Sequence, residues 1–250
     1  MHNPKRSAGT TKEGGMRILL VNPNMTQAMT DEMVDAAARV VPSAEVIGVT
    51  ATHGVAAIDG YRDDVLAAAA VVEAIAEHDG EFDGAIVSCF GDPGLFAARE
   101  LTEAPVIGIG EASFLTAMTL GHRFSVLTTL ERGVPTIQDG LRLHGVEGRC
   151  ASVRATGLTV LEADGDPVAA ADALEREGRL AIELDKAEVI CLGCGGMVDL
   201  RQRLEARLSI PVVEAVPAAA TLVHGLVTNG LRTSKVRAFK RPELAQTPQP

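Results

Sequence analysis

Residues 85–94, AIVSCFGDPG, and residues 189–197, VICLGCGGM, are each an apolar run that reaches a cysteine and then a glycine-bearing turn. A short apolar run bounded by turn residues reads as a buried strand, and helical periodicity resumes after each turn. The two runs have matching flanks. Arg17 opens RILLVN and Arg123 opens RFSVLT, 106 residues later; Cys89 and Cys194 stand 105 apart; Pro105 opens PVIGIGEA and Pro211 opens PVVEAVPA, again 106 apart. A spacing that holds across three landmarks is an internal repeat, so two homologous lobes facing each other about a pseudo-twofold axis are expected.

Working outward from the cysteines, strand-like runs alternate with helical ones. RILLVN leads to a helix over TQAMTDEMVDAAARVV, then AEVIGVTA, an Ala-rich helix from about Asp63 to His78, GAIVSCF, a helix beginning near GDPGLFAAREL, and PVIGIG. This is the signature of parallel βα units, and the fold class is α/β, each lobe a parallel sheet flanked by helices. The first lobe is expected from residue 16 to 113 and the second from 114 to 214. The polar stretches 1–15 and 237–250 read as loose tails.

Composition narrows the function. Of 250 residues 46% are apolar, enough for a large core, and aromatics are few: no Trp, one Tyr, six Phe. The net charge is -10 and the 23 Lys and Arg form no block, which argues against nucleic acid, since phosphate binding needs a concentrated basic surface. No run approaches the roughly 20 apolar residues that span a bilayer, and the N-terminal stretch lacks the apolar core of a signal peptide. The expectation is a cytoplasmic protein with a small-molecule partner and no nucleic acid or membrane partner, assembled as a homo-oligomer. Its four cysteines, Cys89, Cys150, Cys191 and Cys194, are then expected as thiols.

In open parallel sheets ligands sit beyond the carboxyl ends of the strands. Cys89 and Cys194 both stand there, and a twofold arrangement would set one thiol on either side of one interlobe cleft. Cys191 lies three residues earlier, where strand alternation turns it to the other face, and Cys150 in EGRCASV reads as structural. A metal or redox role for Cys191 and Cys194 would need a second ligand pair or a helix-exposed C-x-x-C, and neither is present, so no metal is expected. GIGEAS at 108–113 lacks the third glycine of a dinucleotide loop. The histidines show no ligand spacing, and Tyr61 in DGYRDD borders the site at most. Opposed thiols suit inversion of a carbon acid, where one group removes a proton from one face and the other delivers one to the opposite face. Gly-rich turns before helices can aim N–H groups at a thiolate or an enolate oxygen.

The segments VNPNMT (21–26), SCFGDPGL (88–95), LGCGGM (192–197) and LRTSK (231–235) together resemble the hydantoin/allantoin racemase branch of the aspartate/glutamate racemase superfamily, over about Met16 to Lys235. The resemblance implies a cofactor-independent racemase, a site between two α/β lobes, Cys89 and Cys194 as the acid/base pair, and residues 215–236 returning to the first lobe. Amino-acid racemases of that superfamily set charged helpers near their thiols, whereas NPN and the Gly195-Gly196-Met197 run here are neutral, so a cyclic ureide or amide is the expected substrate. Asn24, Thr128 and Thr129 are expected to hydrogen-bond it, and Phe90, Gly91, Gly195 and Gly196 to line the site. Pro217 stands where similar sequences tend to carry an acidic residue. Two other enzyme readings stay open, a maleate-type cis/trans isomerase and a decarboxylase, although the arylmalonate type would lack the first cysteine. A non-catalytic binding protein is the third alternative.

Overall fold

The computed structural model describes residues 15–159, 162, 166–197 and 200–243. Two four-stranded parallel sheets form its frame. The first holds β1 (Met16–Asn22), β2 (Ala44–Thr50), β3 (Gly84–Val87) and β4 (Val106–Gly108) in the order β2-β1-β3-β4. The second holds β5 (Phe124–Thr128), β6 (Cys150–Ala155), β7 (Val189–Leu192) and β8 (Val212–Val213) in the order β6-β5-β7-β8. Each sheet therefore runs second strand, first, third, fourth, the same order in both repeats. The pairing ends alike as well. Val21 faces Val87 in the first sheet and Leu127 faces Leu192 in the second, and a cysteine follows two residues after Val87 and after Leu192.

The helices are α1 (Gln27–Val40), α2 (Tyr61–Ala76), α3 (Leu95–Leu101), α4 (Ile109–Leu120), α5 (Val134–Leu143), α6 (Pro167–Glu183), α7 (Arg201–Leu208) and α8 (Ala215–Thr228). Their apolar faces build three cores. One outer face of the first sheet packs Leu19, Val21, Ala85 and Val87 against Val71 and Ile75 of α2 and Leu95 and Ala98 of α3. The outer face of the second packs Leu127, Ile190 and Leu192 against Ala171, Leu174 and Ala181 of α6 and Leu204 and Leu208 of α7. Between the sheets lies a continuous core of Ile18, Leu20 and Ile86 from one sheet and Phe124, Val126, Val189 and Cys191 from the other, with Met29 and Met33 of α1 and Phe114 of α4. Strand alternation produces this division, since odd and even residues of one strand face different layers. Cys191 belongs to the middle core and is fully buried, its Sγ 3.7 Å from the Ser113 carbonyl, as its strand parity requires.

Helix α8 follows the last strand of the second sheet but packs on α1, α4, β3 and β4. Its inward residues are small, Ala215, Ala219 and Ala220 beside Val216 and Val223, which lets the backbones approach closely. Gly84 of β3 lies directly under it, where a Cβ would come within 2.6 Å of a Val223 methyl. The LRTSK segment then straps the first sheet: Thr233 donates from N and Oγ1 to the carbonyls of Glu103 and Ala104, and Lys235 Nζ donates to the Arg99 carbonyl. Residues 237–243, read from sequence as loose tail, continue this strap. Arg237–Phe239 form a 3-10 turn that sets the Phe239 ring 5.9 Å from Phe96 and the Arg99 guanidinium 5.9 Å from the same ring. One aromatic in a Pro-rich polar stretch is enough to dock it. The remaining tail residues, 1–14 and 244–250, lie outside the described residues. Among the described residues no helix is long and apolar enough to cross a membrane.

Candidate active site

The order second-first-third puts a topological switch between β1 and β3, and again between β5 and β7, where loops diverge and leave a crevice at the carboxyl strand ends. All four loops that leave these strands border one pocket. Asn24 follows β1; Ser88, Cys89, Phe90 and Gly91 follow β3; Thr128, Thr129 and Leu130 close and follow β5; Gly193, Cys194 and Gly195 follow β7. The pocket holds about 70 Å³, several times the roughly 10–15 Å³ that one water needs, and so has room for a compact ring. Of the residues singled out from sequence, Cys89, Cys194, Asn24, Phe90, Gly91, Thr128, Thr129 and Gly195 are on its wall. Gly196 is not; it packs behind Cys194, where a Cβ would stand 2.9 Å from the Met29 methyl and 3.9 Å from Cys194 Sγ.

The two cysteine loops share one design. The Cys89 carbonyl accepts from Asp92 N at 2.9 Å and the Cys194 carbonyl from Met197 N at 3.3 Å, the same three-residue turn one repeat apart. Each loop is tied to its neighbouring strand, Ser88 N to the Val21 carbonyl and Gly193 N to the Leu127 carbonyl, and Thr128 Oγ1 reaches the Gly193 carbonyl at 3.4 Å. The loops also touch across the lobes, since a Cβ at Gly195 would lie 3.3 Å from the Ser88 carbonyl. Asn24 organises the first loop: its Oδ1 accepts from Asn22 Nδ2 and Thr26 N, and its Nδ2 meets only the soft acceptor Met29 Sδ, at 3.8 Å. The carboxamide oxygen is thus committed to the turn, and what Asn24 has to offer the pocket is an N–H donor.

Burial pushes the Cys89 thiol up to about 12, and the negative charge of Asp64, Cys194 and Asp92 adds to it; a hydrogen bond from Gly91 N–H opposes the rise without cancelling it. Cys89 therefore favours the protonated thiol, the form that donates a proton. All four cysteines are thiols, and Cys150, 3.3 Å from the Ser152 carbonyl on β6, lies apart from the pocket.

A fifth loop, from β2 to α2, also borders the pocket; from sequence only its Tyr61 was placed near the site. Ile58, Asp59 and Gly60 line the pocket, with Asp64 from the first turn of α2. This loop meets the second lobe: Tyr61 Oη donates to Asp139 Oδ2 at 2.6 Å, and a Cβ at Gly60 would stand 3.1 Å from the Arg132 guanidinium. The DG pair at 59–60 carried only a turn signal, because nothing in a one-dimensional pattern says that the turn folds over a neighbouring strand end. Burial raises the Asp64 carboxyl above its ordinary value, with Asp92 adding to the shift. Among the described residues no Lys, Arg or His lines the pocket; the ionisable side chains there are two thiols and two carboxyls.

Behind the wall, Asp92 holds the Cys89 loop to α4. Its two oxygens accept from Gly110 N at 2.9 Å and Glu111 N at 2.7 Å, and His144, which caps α5, places Nε2 3.6 Å from Oδ2. His144, one of the histidines without ligand spacing in the sequence, is nearly buried here and joins the two repeats.

Comparison with known proteins gives a consistent result. The Asp/Glu/Hydantoin racemase family model matches residues 18–223. A hydantoin racemase from Pseudomonas sp. (strain NS671) is 39% identical over 230 residues, 91% of this chain and 92% of the relative. The crystal structure of an allantoin racemase from Pseudomonas fluorescens superposes with a TM-score of 0.91 at 45% identity, covering 93% of this chain and 99% of that one. An allantoin racemase from Klebsiella pneumoniae gives 0.87 at 39% identity, covering 92% and 95%. Arylmalonate decarboxylase, at 21% identity and a TM-score of 0.62, shares the fold.

Proposed function

The chain belongs to the Asp/Glu/Hydantoin racemase family, and from that premise we propose that it racemises a 5-substituted hydantoin or allantoin at C5, with Cys89 and Cys194 as the two acid/base groups. The observation that carries this reading is the pairing itself: equivalent turns of two repeats bring one thiol each to a single small pocket. The C5–H bond lies beside a ring carbonyl, so its proton can leave as charge spreads onto oxygen. One sulfur, as thiolate, takes that proton; the other, as thiol, gives its proton to the opposite face of the same carbon. The pair ends with its single proton moved from one sulfur to the other, ready for the reverse direction.

Desolvation keeps the proton on Cys89, so the pair holds the proton that the donating step needs. The donors beside it are the Gly91 N–H and the Asn24 Nδ2, which support a developing enolate oxygen as fixed dipoles do in other proton abstractions. Among the described residues the wall carries no Lys, Arg or His, which suits a neutral ureide and offers a dicarboxylate no counter-charge, and this tells against the maleate-type alternative.

The test is racemisation of a small hydantoin panel and of allantoin in heavy water, read by optical rotation and by deuterium at C5. Inversion with one solvent deuterium incorporated is expected. Ligand binding with no exchange at C5 would make the protein a binder and not a racemase. A second measurement follows from the sign of the Cys89 shift. Because its pKa lies above the ordinary thiol range, for the enantiomer to which Cys89 donates, the loss of kcat/KM expected when that thiol ionises should not appear below about pH 10. A descending limb centred near pH 8.5–9, the ordinary thiol range, would mean that burial does not govern Cys89.

A further inference from the structure

Among the described residues only three buried side-chain polar atoms lack a hydrogen-bond partner: Asp59 Oδ1, Ser88 Oγ and His78 Nε2. Two of these three residues, Asp59 and Ser88, line the candidate active site. A buried acceptor without a donor is costly to keep, and proteins tolerate it where a ligand supplies the missing partner. Asp59 also reaches the pocket from a different element than the thiols: its loop leaves β2, whereas Cys89 and Cys194 follow β3 and β7.

We infer that Asp59 selects the substituent at C5 by accepting a hydrogen bond from an N–H group on it, so that a ureido substituent, as in allantoin, is taken in preference to a hydrocarbon one of similar size. This rests on the racemase reading above. The ring's own polar groups have partners in the Asn24 Nδ2 and the hydroxyl-bearing Thr128 and Thr129 on the same wall, which leaves the orphaned carboxyl oxygen for the substituent. The backbone helps to fix its position: Asp59 N donates to Asp63 Oδ2 at 3.3 Å, and the Asp59 carbonyl lies 3.8 Å from where a Cβ at Gly133 would stand, on the opposite lobe. A hydrocarbon substituent entering the same space leaves Asp59 Oδ1 unpaired, whereas an N–H group supplies its missing partner, which is how a polar site prefers a hydrogen-bonding substrate over an apolar analogue.

The experiment compares kcat/KM for allantoin and for 5-isopropylhydantoin in the full chain, in Asp59→Ala and in Asp59→Asn. Wild-type enzyme should favour allantoin by about 10-fold or more, and Asp59→Ala should lower the allantoin-to-isopropyl ratio by about 10- to 100-fold, the range expected for one hydrogen bond to a carboxylate. Asp59→Asn, which keeps a carbonyl acceptor, should retain most of the ratio. A wild-type preference for 5-isopropylhydantoin, or a ratio unchanged in Asp59→Ala, would overturn the assignment while leaving the racemase standing. Should Asp59→Ala fail to fold, the wild-type preference decides alone. A wild-type enzyme that inverts neither compound refutes the racemase reading, a different result from either of these.

Discussion

Cys89→Ala and Cys194→Ala are each expected to lower racemisation by at least 10²–10⁴-fold, the usual contribution of one general acid or base, while the chain stays folded. The loss should be nearly complete for each because inversion needs both faces served. Neither side chain belongs to the fully buried core: both cysteines are half-buried at the pocket wall, and their turns are held by backbone bonds from Asp92 N, Met197 N, Ser88 N and Gly193 N that alanine leaves in place. Two-base chemistry also predicts a residual partial reaction. With one thiol gone, the other can still remove the C5 proton of the enantiomer that faces it and return a deuteron from solvent to the same face. Each variant should therefore wash deuterium into one enantiomer without inverting it, and the two variants should choose opposite enantiomers. If either variant kept more than about one tenth of wild-type inversion, well outside the range for a lost acid/base group, the pair would not be the machinery. If both washed deuterium into the same enantiomer, the thiols would not stand on opposite faces.

The contrast between what could and could not be read from the chain has a physical basis. The α/β class, the repeat and the cysteine pair depend on local patterns that recur at a fixed offset, and strand parity alone separates buried Cys191 from pocket-lining Cys194. The same offset carries over into the same strand order in both sheets. Asp59 and Asp64 were invisible because their loop leaves the outer strand β2 and reaches the pocket only by folding over β1, a contact made by tertiary geometry with no sequence period. His144 was hidden for a similar reason. It is a lone histidine at the end of α5, and its meaning comes from Asp92 and Glu111 in the other repeat, 52 and 33 residues away in the chain. Phe239 shows the converse error: a polar, Pro-rich context suggested no structure, yet one ring found Phe96 and Arg99.

Asp92→Ala is expected to cost about 2–5 kcal/mol of stability, the range for leaving two N–H groups without their acceptor, and to lower the melting temperature by about 4–20 °C in a chain of this size. The carboxylate is 7% exposed and makes three connections that alanine cannot: to Gly110 N, to Glu111 N and to His144 Nε2. Without it two N–H groups in the first turn of α4, those of Gly110 and Glu111, lose their acceptor. The backbone adds to the loss, since Asp92 sits at φ 50°, a left-handed conformation that Asp and Asn tolerate better than Ala. The cost should also depend on pH, in a direction opposite to that of an ordinary ion-paired carboxylate. Burial is the largest influence and raises the Asp92 pKa above its ordinary 3.8, while His144 and the two N–H groups pull it only partly back. The folded state therefore holds this proton more tightly than the unfolded chain, so the stability linked to it is full below about pH 3.8 and is lost as pH rises through the folded pKa. Wild-type protein should accordingly lead Asp92→Ala by more at pH 4 than at pH 7.5, as measured by urea unfolding at the two values. A lead that instead grows with pH would mean that the pairing with His144 outweighs desolvation. In that case the loop carrying Cys89 would be held to α4 and α5 mainly by charge attraction rather than by a capped helix end.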